Sequence, residues 1–445
     1  MEEQSRGKVS PRPRHGKTHG RLERAQRIIG DLQVRASEFS LIISDDFPLG
    51  GRLRHFIDFW RQITHDPTVL HAILGVELPF IELPSQAFVP RPYQVDEASQ
   101  NKIRKLVEEL LEQQIVVPVD NAPDQFVSPL FIVTNKDQSS RAILNVKKMN
   151  QDFLQTKHFK METLLRVLPL IRKGDWFGSW DLRKGYYNVA VHPAFQKYFC
   201  FDLDGQRFMF KSLVMGISVA PFIFTKIMAA LVQFARAAGI DVSFYIDDTL
   251  IRASLRLQAW TDIRAFGQLL QLAGFLLHES KSVTEPTQEI KYFGFFINSV
   301  SMTLRLPEEK EQKIRSAITT ALQDAEQQCP WTIRKAAQLI GWLLAAIPAV
   351  RYGEGHFRSL ENVKKWALVD ADNDYDAPEV FWNTEQCQDM QWWLDRPSPI
   401  VRCFQTEDIT DTFTSKKTNS LKYLLTKIVT TFLNLYFIIY SGRIS

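Results

Sequence analysis

Two adjacent carboxylates, Asp247 and Asp248, lie inside Ser243-Phe244-Tyr245-Ile246-Asp247-Asp248-Thr249-Leu250, a run otherwise built of β-branched, aromatic and apolar residues. Ionised groups are expensive to bury, so something must compensate them there. A divalent cation does so directly, and hard oxygen ligands at a hairpin tip favour Mg²⁺. An Asp-Asp pair at a turn also occurs without a metal, so the pair alone leaves both readings open. A third carboxylate adds weight to the first: Asp181 closes the aromatic stretch Phe177-Gly178-Ser179-Trp180, and Tyr186 follows five positions later. Two strands that each end in carboxylate can meet in one sheet. Between them, the chain from Phe208 passes from strand-like residues through Gly216 into a helical pattern from Pro221 to Gln233. Glycine at that junction lets backbone approach a flat ligand.

The elements that must position these groups are legible along the chain. An aromatic-rich helical pattern (Leu53, Phe56, Ile57, Trp60, Ile63) ends before Pro67, and a proline-rich connector spans Pro79 to Pro92. Ile103, Leu106, Val107, Leu110 and Leu111 line one face of a helix from Glu97 to Gln114. Strand-like runs at 115–118 and 126–133 precede a turn-rich tip at 135–140 and a returning run, Arg141-Ala142-Ile143-Leu144. After the Asp-Asp hairpin, 259–272 is amphipathic and Gly274 closes it. Pro307 with Glu308 and Glu309 opens one later helix, and another starts near Thr332.

At 445 residues and 45% hydrophobic the chain is globular and long enough for several lobes, and its net charge of +4 argues for no partner by itself. Cys200, Cys329, Cys387 and Cys403 show no paired spacing, so neither a disulfide framework nor a zinc knuckle is indicated, and a reducing compartment fits. The leader carries eight Lys and Arg (Arg6, Lys8, Arg12, Arg14, Lys17, Arg21, Arg24, Arg27) against Glu2, Glu3 and Glu23, and reads as disordered, either solvated or in contact with nucleic acid. It has no apolar core of a secretory signal. The apolar stretch 421–440 contains Lys422, Lys427 and Asn434, so no stable membrane partner is expected.

Taken in order, these motifs resemble the palm of a reverse transcriptase, an RNA-directed DNA polymerase. Asp181 and Tyr186 match Asp-X-X-X-X-aromatic, Leu213 to Gly216 matches the L-P-x-G motif, and Tyr245 to Asp248 matches Tyr-X-Asp-Asp. Ile143–Asn150, His158–Glu162 and Ser299–Leu304 are similar to polymerases of DIRS-type retrotransposons, and the resemblance covers roughly 50–397. It implies an α+β right-hand polymerase whose antiparallel palm sheet is backed by helices. The implied division is a basic leader and linker (1–49), a helical extension and connector (50–92), fingers (93–170), palm (171–298, with a finger-proximal part near 195–220), thumb (299–360), partial connection (361–400) and a non-homologous tail (401–445).

The implied chemistry is nucleotidyl transfer from a dNTP to a primer 3′-hydroxyl on an RNA or DNA template, with two Mg²⁺ ions for which Mn²⁺ can substitute. By resemblance, Asp181 and Asp247 would bridge both ions, Asp248 would support them, and the Leu182 carbonyl would ligate one. Lys136 and Arg141 would face the triphosphate, Tyr186 the sugar, and Met215 and Gly216 the nucleotide. Lys281 is a candidate general acid. Tyr292, Phe293, Gly294 and Phe295 resemble the primer grip. Simpler readings stand beside these: solvated charges on a hairpin for Lys136 and Arg141, a buried tyrosine for Tyr186, an exposed lysine for Lys281, a core hairpin for 290–298. No RNase H, integrase or recombinase pattern is evident, so the sequence reads as a truncated element copy or fragmentary gene model, intracellular (cytoplasmic or nuclear) and not secreted. A catalytically inactive nucleic-acid-binding remnant is the alternative. An RNA-dependent RNA polymerase fits less well, since a bulky residue at Tyr186 would exclude its ribonucleotides.

Overall fold

Asp96 accepts from the backbone N–H of Ser99 and so caps a sixteen-residue helix, which in the computed structural model packs on the strands that follow it. The structure describes residues 23, 25–32, 47–134, 140–155 and 159–404. Lys136, the leader through Leu22 and the tail from Gln405 lie outside the described residues. The described residues divide into two compact units, one drawn from 1–163 and 177–286, the other from 164–176 and 287–445.

In the first unit the described residues 25–32 are helical with Ala25 and Ile29 buried, where the sequence reading expects a disordered leader, because these apolar side chains find a core to enter. Then follow α1 (Ile57–Ile63), entered from a 3₁₀ turn at Arg52–Phe56, α2 (Pro67–Leu74) and α3 (Glu97–Glu112). Three antiparallel sheets follow. β1 (Val116–Val119), β6 (Gln206–Phe210) and β5 (Cys200–Leu203) form one, in the order β1-β6-β5. β2 (Leu130–Thr134) and β3 (Ser140–Leu144) form a hairpin in which Val133 faces Arg141. The third runs β7-β8-β4-β9, with β4 (Trp176–Ser179), β7 (Asp241–Tyr245), β8 (Asp248–Ala253) and β9 (Val283–Thr287).

Two helices back that third sheet. α4 (Ala220–Ala237) buries Ile223, Phe224, Ile227, Met228, Leu231 and Val232, and packs on β7. It is long and apolar enough to cross a membrane, a property it shares with buried core helices. α5 (Arg256–Leu272) packs on β8 through Ile263, Phe266, Leu269 and Leu270. Glycines permit this close fit: a Cβ on Gly178 would stand 2.1 Å from Ile263 Cδ1, and one on Gly267 would stand 2.6 Å from the Trp180 ring.

In the second unit a four-stranded antiparallel sheet runs β10 (Glu289–Tyr292), β11 (Phe295–Asn298), β12 (Thr303–Arg305) and β13 (Val401–Cys403). Helices α6 (Glu308–Glu326), α7 (Ile333–Ala346), α8 (Arg358–Asp370) and α9 (Thr384–Leu394) complete it. Thr332 caps α7, as its position in the sequence suggests.

One boundary differs from the sequence reading. The sequence reading starts the tail at 401, but Val401–Cys403 pairs with β12 and both Ile400 and Phe404 are buried, at 4% exposure. The reason is a set of long-range bonds: Leu306 donates to Ile400 O at 3.1 Å, Phe404 to Met302 O at 2.9 Å, and Ile400 to the buried carboxylate of Glu311 at 2.9 Å.

Candidate active site

The β7–β8 hairpin turns in two residues. Tyr245 pairs with Asp248, which leaves Ile246 and Asp247 as the loop, and Ile246 adopts φ 55°. A β-branched residue in the left-handed region is strained, and such strain persists only where surroundings fix it. Several groups do so. Arg252, buried, bonds Ser243 Oγ at 2.8 Å and pairs with Asp241 across the hairpin. Glu162 accepts from Phe244 N at 2.9 Å and from Arg236 at 2.6 Å.

Asp181 leaves the end of β4 and bridges antiparallel to Asp248, so the two carboxylates are cross-strand neighbours. Just before it, Trp180 is locked in place. Its N–H donates to Thr249 Oγ1 and its C=O accepts from the same hydroxyl, both at 2.9 Å, while its indole donates to Ile263 O at 2.7 Å. On the other side, Asp181 N donates to Ser282 Oγ at 3.0 Å, and its carbonyl accepts from His278 N at 2.9 Å. Leu182 bridges to Leu277 through the bonds of its two neighbours, so its own carbonyl turns away from that strand.

The electrostatics follow from this packing. Asp247 and Asp248 stay open to solvent on one side while protein encloses them on the others. That lost hydration, followed by the charges of Asp247 and Asp181, pushes Asp248 up to about 6. Burial, with the charge of Asp181, also raises Asp247. Asp181 rises by burial, opposed by the positive charges of Lys281, His278 and Arg141. Three carboxylates that repel one another suit a hard cation by donor chemistry. Among the described residues, no group of three or more His, Cys, Asp or Glu stands in a metal-holding arrangement, so the ligand set is not tightly preformed.

Arg141, exposed on β3, and Lys281, exposed in the 3₁₀ turn Glu279–Lys281, both act on Asp181 and on Asp247. Tyr186 is half-buried and packs edge-on against Phe224 at 5.3 Å. Burial, then the charge of Asp247, raises its hydroxyl pKa. Met215 is half-exposed and Gly216 exposed at φ 91°. Asn150 grips this last turn from both ends, donating to Gly216 O at 2.9 Å and accepting from Ser218 N at 2.8 Å. The structure thus brings Asp181, Leu182, Asp247, Asp248, Arg141, Tyr186 and Lys281 into one neighbourhood. Asn150 and Glu162 were not recognised as site-forming in the sequence, where each lies in a segment that resembled the family without showing a role.

Tyr292, Phe293, Gly294 and Phe295 belong to the second unit. They form a two-residue hairpin with Phe293 at φ 51° and Gly294 at φ 76°, the type I′ pattern. Tyr292 and Phe295 are core residues at 3% and 5% exposure, which leaves only the 293–294 tip presented outward. Lys310 donates to Gly294 O at 3.0 Å.

Among solved structures, a foamy viral protease–reverse transcriptase in complex with double-stranded DNA aligns with a TM-score of 0.56 at 16% identity, covering 83% of this chain and 59% of that one. The same kind of protein in complex with an RNA/DNA hybrid aligns at 0.54 and 16%, covering 83% and 45%. The fold is that of a right-hand polymerase. Residues 133–297 match the family described as reverse transcriptase (RNA-dependent DNA polymerase). The Enzymatic polyprotein of Figwort mosaic virus is 25% identical over 182 residues, 40% of this chain and 26% of the polyprotein. Protein P of a duck hepatitis B virus is 26% identical over 210 residues, 44% of this chain and 25% of that protein. The match to the reverse transcriptase family covers 133–297, and the chain spans about a quarter of the length of these two curated relatives.

Proposed function

We propose that this protein is an RNA-directed DNA polymerase, extending a DNA primer from dNTPs on an RNA or DNA template. The observation that carries the reading is the cross-strand pairing of Asp181 with Asp248 beside Asp247 in the strained turn. Asp181 and Asp247 would hold two Mg²⁺ ions, with Asp248 in support and the Leu182 carbonyl as a further donor. When bound, such ions neutralise phosphate charge and lower the pKa of the primer hydroxyl.

The chain's own groups supply the rest. Arg141 offers a guanidinium fork to the triphosphate. The Tyr186 ring would exclude a 2′-hydroxyl, Met215 would pack on the nucleotide, and the exposed Gly216 backbone would let it approach. Lys281 would give a proton to the leaving pyrophosphate, a role supported by its exposed ammonium beside Asp181 and Asp247. Nucleic-acid duplex as partner is supported by the complexes of the foamy viral relatives with double-stranded DNA and RNA/DNA hybrid.

Extension of a DNA primer on an RNA template tests the reading. It should require Mg²⁺ or Mn²⁺, and Asp247→Asn should reduce it by more than the ~10²–10³ typical of one electrostatic donor. Parent-like extension by Asp247→Asn would refute the assignment. A parent chain that binds template and primer but never extends them is the inactive remnant instead.

A further inference from the structure

Asn188 ends the 3₁₀ turn Gly185–Asn188 and is wholly buried. Its Nδ2 faces three backbone carbonyls: Gly185 O at 3.1 Å, Arg183 O at 3.3 Å and Lys184 O at 3.3 Å. An amide nitrogen has two hydrogens, so these carbonyls share one donor group. Oδ1 has no partner among the described residues, so the side chain is used through its donor end. The turn needs such a tie. Lys184 adopts φ 49°, a conformation disfavoured for a residue with a side chain, and the reversal brings the carbonyls of Arg183, Lys184 and Gly185 together.

This turn abuts the Tyr245–Asp248 hairpin. A Cβ on Gly185 would stand 3.7 Å from Asp247 Cβ and 3.2 Å from Phe224 Cζ. The next residue is Tyr186, whose ring packs edge-on against the same Phe224. A shift of the turn therefore moves the ring, because Phe224 is fully buried in α4 and cannot follow.

We propose that Asn188 is a positioning residue for sugar selection: by gathering the carbonyls of Arg183, Lys184 and Gly185 it fixes the stance of the Tyr186 ring beside Asp247. Discrimination between deoxy- and ribonucleotides then depends on a side chain that touches no substrate. The inference rests on the polymerase reading above and deepens it.

Single-nucleotide extension with the full chain tests it, comparing kcat/KM for a dNTP with that for the matching rNTP. Asn188→Leu keeps the volume and removes the donor; its dNTP preference should fall by about tenfold or more, as expected when a positioned group moves by a fraction of an ångström. Asn188→Ser keeps one donor and should fall between Asn188→Leu and the parent, and it decides the matter if Asn188→Leu does not fold. In a Tyr186→Ala background, Asn188→Leu should lower the preference no further, since both act through one ring. An equal loss of kcat for both sugars, with the ratio unchanged, would make Asn188 merely structural and overturn the proposal. A parent that extends normally alongside such a result leaves the polymerase reading intact, whereas a parent that incorporates neither nucleotide overturns both.

Discussion

Gly267→Ala tests whether packing behind the sheet holds the active site. The new Cβ would stand 2.6, 2.7 and 2.9 Å from Trp180 Cζ2, Cε2 and Nε1. The indole has nowhere to retreat: Trp180 is 1% exposed, bonded to Ile263 O, and tied at its backbone to Thr249. Overpacking of this kind costs about 1–3 kcal/mol. Breaking the indole bond would leave a buried donor unpaired for about 1–3 kcal/mol more. Alanine's better helix propensity returns about 1 kcal/mol. The net loss is about 1–5 kcal/mol, or about 2–20 °C in Tm at the slope of a unit of 150–250 residues. Thermal denaturation followed by circular dichroism measures it, with primer extension run well below the transition. Because Trp180 directly precedes Asp181, extension should drop by more than the unfolded fraction explains. A Gly267→Ala protein that melts at or above the parent temperature and extends normally would refute the argument.

Arg141→Ala should raise the KM for dNTP or lower kcat while template-primer affinity, read by filter binding, stays nearly intact; an equal loss of duplex affinity would contradict a role on the nucleotide. Asn150→Ala should raise the same KM by freeing the Gly216–Ser218 turn, with a stability loss of only about 1 kcal/mol in denaturant titration. Glu311→Gln should destabilise the second unit by about 1–3 kcal/mol at neutral pH, since the carboxylate accepts from Ile400 N and from Arg315, both at 2.9 Å. Burial alone would raise the Glu311 pKa, but the Ile400 N–H, Ser398 and Arg315 hold it below the ordinary 4.5. Its contribution is therefore full above 4.5 and lost as pH falls through the lower folded value, so parent and variant melting curves should converge in acid. Ending the chain after residue 397 removes Ile400, β13 and Phe404, and should lower the melting temperature relative to a chain ending after 404.

Much of this was legible because it is local. The 3.6-residue spacing of Ile103, Val107 and Leu110 gave α3 to within two residues, and Pro307 and Thr332 marked the starts of α6 and α7. The carboxylate-ended strands indicated that Asp181 and Asp248 could meet. What stayed hidden depends on contacts across long sequence separations. Nothing near Asn150 or Asn188 in the sequence announces which carbonyls their amides reach. Val401–Cys403 is too short to carry a pattern, and becomes a strand only because β12 offers an edge. At Tyr292 and Phe295 the aromatic-Gly-aromatic spacing is the same for a grip and for a core hairpin; the tight turn puts both rings inside.

The Asp181–Asp248 bridge joins segments 67 positions apart. A chain that has formed only the local hairpin from Asp241 to Ala253 already holds Asp247 and Asp248 in register, yet it has no site. The third carboxylate arrives when β4 inserts between β8 and β9, a non-local pairing of the kind that forms late. During refolding, regained primer extension should therefore trail the hairpin's circular dichroism signal and report the moment the sheet closes. Catalytic activity in this protein would then serve as a clock for sheet assembly.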